Sequence, residues 1–447
     1  MLATVGFILV IVMVALIIWG KVALPPILIL LSTAAVIVLS LTGALPDVVG
    51  PLAILDALKG YIGTGANSVL NTVVLFTFAI VYFNVLSDAG MFDMIVGAVM
   101  KRMGNHVSAI LLMTCFLAFI SHLDGSGATT MLITIPTMLP LYKKMRIPNV
   151  ILLCYVGLWS GVENMLPWTS ALARVSASTG VDAYELWNVL LPVQIVGFII
   201  LIVSCFVLGN ILKAKGCGMS DEEFNLIKSG MGKKEEPVLK VSNTVLYIDM
   251  IMTVVMVVAM LLGWLNTNVA FMIFLSFALL LNCPEGARQM TAQIRKHGAT
   301  ALNMVMILFS IGMLVGVMKD TGMMNAMTEA LVSLVPEAMG SHLTFIIALL
   351  SVPLSMAVGS DSLYMIMAPI FGNMAVAFGG TTMHAAAACV IGACIAANLC
   401  LVAPTPYLAL GLAEVEMKDN LKYNFFPTWV LGIVLAIAGA IVGAFPF

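Results

Sequence analysis

Apolar runs of about bilayer length recur from one end of the chain to the other, near residues 2–19, 22–43, 68–87, 186–212, 244–265, 267–282, 299–318 and 427–446. About 20 apolar residues in an α-helix cross the hydrocarbon core, and inside it only helices or closed barrels satisfy their own backbone groups. An all-α polytopic membrane protein is therefore expected, in contact with the lipid bilayer along much of its length. Composition agrees: 62% of the 447 residues are hydrophobic and 9% charged, against roughly 45–50% apolar in a soluble domain. Residues 2–19 lack a basic leading region and a small-residue cleavage site, so they read as a first span rather than a signal peptide. A formal net charge of −2 leaves no basic stripe to release counterions from phosphate, which excludes nucleic acid as a partner. The eight cysteines form no CxxC pair and read as small packing residues, so no resident cofactor is expected.

Four segments break the pattern. From Ser108 to Tyr142 the apolar run is interrupted by His122-Leu-Asp-Gly-Ser-Gly-Ala-Thr-Thr130, and from 342 to 378 by Gly359-Ser-Asp-Ser362. The flanks are too short for two ordinary crossings, which predicts two re-entrant helical hairpins. Two further spans, 149–178 and 384–412, are broken around Asn164 to Ser170 and Asn398 to Tyr407, where prolines remove backbone donors.

These features recur at a nearly constant offset. Val85-Leu-Ser-Asp-Ala-Gly-Met91 is echoed by Val317-Met-Lys-Asp-Thr-Gly-Met323, Gly104-Asn-His106 by Gly340-Ser-His342, Gly125-Ser-Gly127 by Gly359-Ser-Asp361, and Asn164 with Pro167 by Asn398 with Pro404 or Pro406. Two repeats are thus expected, 1–213 and 244–447, joined by a polar connector at 214–243. Five crossings per repeat, an odd number, make the second repeat run upside down relative to the first. The total is then about ten full transmembrane helices, two re-entrant hairpins and two broken helices. With the connector cytoplasmic, all but three of the 20 Lys and Arg (Lys59, Arg174 and Lys319) fall on the inner side, as the positive-inside rule requires. Both termini are then expected outside a bacterial-type inner membrane.

Inverted repeats with broken helices place a transporter's ligands at the midplane, between half-helix ends. The interrupted segments accordingly supply the candidate site. For substrate these are Gly125, Ser126, Gly127, Thr129, Thr130, Asn164, Pro167, Thr169, Ser170, Arg174, Gly359, Ser360, Ser362, Asn398 and Thr405. Glycines let backbone amides approach a ligand, hydroxyls replace its water, and half-helix N-termini favour anions. Asp124, Asp361, Asn164 and Asn398 are the candidates for a coupling cation, because a carboxylate at membrane depth is costly unless paired or protonated; the alternative is that each aspartate caps a helix. Arg174 either grips a substrate carboxylate bidentately or serves structure by snorkelling or pairing with Glu163. Glu163 and His122 are weighed as proton carriers against structural hydrogen-bonding roles. HExxH, GxSxG and a paired His cluster are all missing from the sequence, so an intramembrane enzyme is not expected.

The stretch His122-Leu-Asp-Gly-Ser-Gly-Ala-Thr-Thr-Met-Leu-Ile-Thr-Ile-Pro136 with Met138-Leu-Pro-Leu-Tyr142 resembles the metal-citrate/proton symporters of the ion transporter superfamily. Asn164-Met-Leu-Pro-Trp168 with Arg174, Pro353 to Asp361, and Pro404-Thr-Pro-Tyr-Leu-Ala-Leu-Gly-Leu-Ala413 extend the resemblance over nearly the whole chain. It implies a secondary transporter that takes up citrate or a related di- or tricarboxylate, free or as a divalent-metal complex. The drive would be a proton or sodium gradient, and the assembly a homodimer working by alternating access. A metal would then enter only with its carboxylate, and co-transported H⁺ or Na⁺ would be the only other ions. One departure bears on the metal: where the family pattern is expected to read Asp-Gly-Asp-Gly, this chain has Asp124-Gly-Ser126-Gly, with one acidic oxygen fewer. The rival within the same fold is a cation/proton antiporter, to which Arg174 would be useless.

Overall fold

The computed structural model describes residues 1–19, 21–95, 104–123, 125–220, 238–401 and 403–447. Among them every regular element is helical. The first half comprises α1 (Leu2–Trp19), α2 (Leu24–Leu41), α3 (Pro51–Ala89), α4 (Val107–His122), α5 (Gly127–Lys144), α6 (Asn149–Glu163), α7 (Ser170–Thr179) and α8 (Ala183–Ala214). The second comprises α9 (Asn243–Leu261), α10 (Thr267–Asn282), α11 (Ala287–Asp320), α12 (Met323–Val332), α13 (Leu343–Val358), α14 (Ala368–Ala377), α15 (Thr382–Ile395), α16 (Pro404–Ala413) and α17 (Met417–Ile441). Six helices, α2, α3, α8, α9, α11 and α17, are long and apolar enough to cross a membrane among the described residues.

Helix starts follow local chemistry. Asp182 accepts from the Tyr184 and Glu185 amides at the head of α8, Ser242 from Val245 at α9, and Asn266 from Asn268 at α10; each satisfies a donor that the first helical turn leaves free. Prolines open α2, α3, α14 and α16, where their missing N–H costs nothing.

Three helices are longer than the apolar runs that predicted them. The run 68–87 is the end of a 39-residue helix, α3, and 299–318 is the end of the 34-residue α11. Likewise α17 begins at Met417 rather than near 427. Hydropathy marks only the part of a helix that faces apolar surroundings. The backbone ladder continues through the exposed residues Asp56 and Lys59, or Arg288, Arg295 and Lys296, where no apolar run marks it.

The two long helices α3 and α11 pack along each other more extensively than any other helix pair among the described residues. Their backbones meet at glycines: a Cβ on Gly65 would overlap the Gly312 carbonyl, and one on Gly316 would overlap the carbonyl of Tyr61. Small residues at a membrane helix crossing allow this approach. Around the pair, α2 lies on α11 and α10 on α3, α4 packs on α6 and α8, and α13 packs on α15 and α17. Helix α5 touches α16, and α14 touches α7. Each of these contacts has its counterpart in the other half.

Candidate functional site

The turn between α4 and α5 is built by a few side chains. Asp124, predicted to bind a coupling cation, lies outside the described residues. Gly125 has φ +73 and donates its N–H to the His122 carbonyl at 2.7 Å; a residue with a side chain would be strained there. A Cβ at Gly125 would also lie 3.3 Å from both Thr169 Cα and the Trp168 carbonyl oxygen, so the turn sits directly against the break between α6 and α7. Ser126 caps α5, its hydroxyl accepting from the Thr129 amide at 3.3 Å.

His122 is fully buried and works as a clasp. Its Nε2 lies 3.0 Å from Asn164 Oδ1, and its Nδ1 lies 2.7 Å from the Thr130 hydroxyl. An amide oxygen only accepts, so Nε2 carries the hydrogen. One imidazole thereby joins α4, α5 and the broken helix. The Trp168 indole N–H adds a second tie, donating to the Leu123 carbonyl at 3.1 Å. Its ring lies 5.6 Å from Phe83 of α3 and 5.7 Å from Phe271 of α10, centroid to centroid. The Thr169 hydroxyl donates to the carbonyls of Asn164 and Leu166, at 2.6 and 2.8 Å, and holds the break open. Pro167 is buried within the break, and Ser170 starts α7.

The second hairpin turns at Gly359, φ +89. A short α turn, Ser360–Ser362, leads into a π-helical segment, Leu363–Met367, before α14. Pro369 has no N–H to return to Met365, which helps to account for the widened turn. Ser360 Oγ lies 2.6 Å from Ser355 Oγ and donates to the Ala393 carbonyl at 3.3 Å.

Asp361 meets Arg174 across the molecule, Nη1 to Oδ1 at 3.0 Å, with side chains 40% and 18% exposed respectively. One turn further along α7, the Ser178 hydroxyl donates to the Tyr364 carbonyl at 2.6 Å, and the Tyr364 hydroxyl points to Cys394 Sγ at 3.3 Å. Two polar groups at this junction are buried with no hydrogen-bond partner: Arg174 Nε and Ser362 Oγ. Both can donate.

The four interrupted segments meet pairwise. The first turn reaches the second break, where a Cβ on Gly127 would lie 3.5 Å from Thr405 Cγ2. The second turn reaches α7 through Arg174 and Ser178. Asn164 and Asn398 are already engaged: Asn164 with His122, and Asn398 through its carbonyl, which accepts from Asn420 Nδ2 at 3.2 Å. The Asn398 side chain packs so closely on α6 that a Cβ at Gly157 would overlap it. Ser178, Ser355 and Cys394 escaped the sequence reading, because a single hydroxyl or thiol in an apolar helix carries no local signal. Among the described residues no group of three or more His, Cys, Asp or Glu side chains converges as a metal would require.

Comparison with known proteins places this architecture. The family model described as CitMHS, citrate transporter, matches residues 14–392. The chain is similar to a citrate transporter of Bacillus subtilis, 31% identical over 392 residues, 86% of this chain and 88% of the relative. It is also similar to the Mg(2+)/citrate complex secondary transporter of the same organism, 29% identical over 85% of this chain and 87% of the relative. Among solved structures it resembles MtrF of Neisseria gonorrhoeae, described as illuminating a class of antimetabolite efflux pumps. The TM-score is 0.63 at 14% identity, over 95% of this chain and 96% of that one; this likeness concerns the fold alone.

Proposed function

The chain belongs to the CitMHS family of citrate transporters, and we propose that it takes up citrate or a related di- or tricarboxylate by secondary active transport, coupled to protons or sodium. The observation that carries the site is the Arg174–Asp361 pair, 3.0 Å apart where α7 meets the second hairpin. Beside it Arg174 Nε and Ser362 Oγ are buried donors with no partner. A substrate carboxylate arriving there gains a planar guanidinium, a hydroxyl and the N-terminal end of α7, each suited to negative charge. Asp361 holds the guanidinium in place while the site is empty of substrate and is free to take a cation once a carboxylate replaces it. Gly125, Ser126, Gly127, Thr129 and Thr130 line the approach from the first hairpin, with Thr405 opposite. Asn164, Pro167, Thr169 and Ser170 on one side, and Gly359, Ser360 and Asn398 on the other, keep the two breaks in shape. Asp124 joins Asp361 as an ion ligand.

In this reading the two hairpins are re-entrant and the halves 1–213 and 244–447 are inverted repeats. The reciprocal packing of α5 on α16 and α14 on α7 supports it. Both termini then face outward, the connector 214–243 is cytoplasmic, and alternating access moves the site between two sides, in a homodimer. One relative is named for a Mg(2+)/citrate complex; in this chain Ser126 between Gly125 and Gly127 favours the free acid.

Calorimetric titration of the purified protein with citrate, with and without Mg²⁺, tests the site. Losing charge-assisted hydrogen bonds costs about 1.5–3 kcal/mol, so Arg174→Ala should weaken binding roughly tenfold or more. Unchanged affinity in that variant would remove Arg174 from the site. Tighter binding of the Mg²⁺ complex than of free citrate would overturn the free-acid assignment.

A further inference from the structure

Away from the hairpins, one carboxylate lies wholly inside the helix pair α9–α10. Asp249 stands two turns into α9 with no exposed surface, as does Asn282 at the end of α10. Asn282 Nδ2 donates to Asp249 Oδ1 at 3.1 Å and to the Ala278 carbonyl at 2.9 Å. The remaining oxygens of the pair, Asp249 Oδ2 and Asn282 Oδ1, are both buried and have no hydrogen-bond partner. Two acceptors without a donor are what an ionised carboxylate beside an amide leaves behind, and burying such a group is costly.

Among the described residues no cation forms an ion pair that would offset that cost: the salt bridges involve other groups, and Asp249 is in none of them. Helix α10 has no charged residue, and on α9 the only other titratable side chain is Tyr247, which points outward, 59% exposed. From α3 the titratable group that faces the pair is Tyr82; its hydroxyl is held 2.8 Å from Thr253 Oγ1, and Thr253 donates to the Asp249 carbonyl at 2.8 Å. Tyr82 and Phe271, with ring centroids 5.9 Å apart, close the site from α3 and α10.

We propose that Asp249 and Asn282 form a proton-binding site, loaded in this conformation. A hydrogen on Asp249 Oδ2 donates to Asn282 Oδ1 while Asn282 Nδ2 donates to Asp249 Oδ1, closing an acid–amide ring in which every polar atom of the pair is used. A metal cation fits the same place poorly, since hard cations collect six or more oxygens and only two are free here. The site shares no residue with the Arg174–Asp361 pair and is independent of which anion the protein carries, so it survives or falls separately from the citrate reading.

Infrared difference spectroscopy of the full-length protein in lipid tests this, by subtracting Asp249→Asn from wild type at neutral pH. The neutral substitution preserves the hydrogen-bonded ring. The expected result is a protonated-carboxyl C=O band present in wild type, downshifted in D₂O and absent from Asp249→Asn. A carboxylate band in its place overturns the proposal. Should Asp249→Asn fail to fold, Asn282→Ala serves: loss of the acceptor should shift the same band to higher frequency, and an unmoved band contradicts the assignment. Adding Na⁺ at constant pH should leave the band intact, whereas its disappearance would make the site one for a metal cation.

Discussion

At the residue scale, chemistry in this protein is divided between groups that are paired and groups left with spare donors. His122 belongs to the first kind: both ring nitrogens are occupied, by Thr130 and Asn164, and the imidazole has no exposed surface. Its work is to hold three chain segments together. His122→Leu should therefore cost about 1–3 kcal/mol through the Asn164 amide oxygen left without its donor, while Thr130 keeps the Ser126 carbonyl as a partner at 2.9 Å; the loss is read as a lower midpoint in thermal unfolding of the purified protein. A variant with wild-type stability but abolished transport would instead make His122 a proton carrier. Arg174 belongs to the second kind, since pairing with Asp361 uses Nη1 and leaves Nε free. That pairing could not be read from the sequence, where Glu163 stood nearer along the chain and Asp361 was almost a repeat away. By contrast the polar tips themselves were legible, because Gly125-Ser-Gly127 and Gly359-Ser-Asp361 cluster glycine with polar residues in the middle of mainly apolar runs. Asp249 carries the same signal, a lone acid inside an apolar span, but its partner Asn282 lies on a different helix, so the pair leaves no local pattern in the sequence.

At the scale of elements, the break positions could be located from prolines and the turn positions from glycines, but helix lengths could not. Helix α3 runs through Asp56 and Lys59 for 39 residues, although its first ten residues are mostly exposed; its later turns pack on α11 from Tyr61 and Gly65 onward, and the exposed start leaves no hydropathy trace. The same packing makes a sharp prediction. Gly65 lies against the backbone of Gly312 with no room for a Cβ, so Gly65→Val must force α3 and α11 apart. Overpacking of this kind costs about 3 kcal/mol or more when backbone has to move, and the variant should be lost from the monodisperse peak in size-exclusion chromatography. Gly60 has open space around it, so Gly60→Ala should elute like wild type; equal behaviour of the two variants would mean that the α3–α11 crossing is not the brace it is taken to be.

At the scale of the whole molecule, the proposed inversion rests on several helix contacts of one half that have a match in the other. The motif echoes near Asp88 and Asp320 and the reciprocal helix packing come from separate observations, one of sequence and one of structure. If the halves are inverted, reporter fusions at residue 1 and residue 447 should both respond as outward-facing, and a fusion in the 221–237 stretch as cytoplasmic. Termini on the cytoplasmic side would remove the inversion and with it the symmetric placement of the two hairpins. The central claim, that Arg174 and the second hairpin hold a carboxylate that is moved across the membrane, is tested most directly by uptake of radiolabelled citrate into proteoliposomes under an imposed proton or sodium gradient. Wild type should accumulate citrate only with the gradient present, and at subsaturating citrate Arg174→Ala should take it up roughly tenfold more slowly or worse. Gradient-driven uptake by Arg174→Ala at the wild-type rate, or no carboxylate uptake by wild type under either gradient, would contradict that claim.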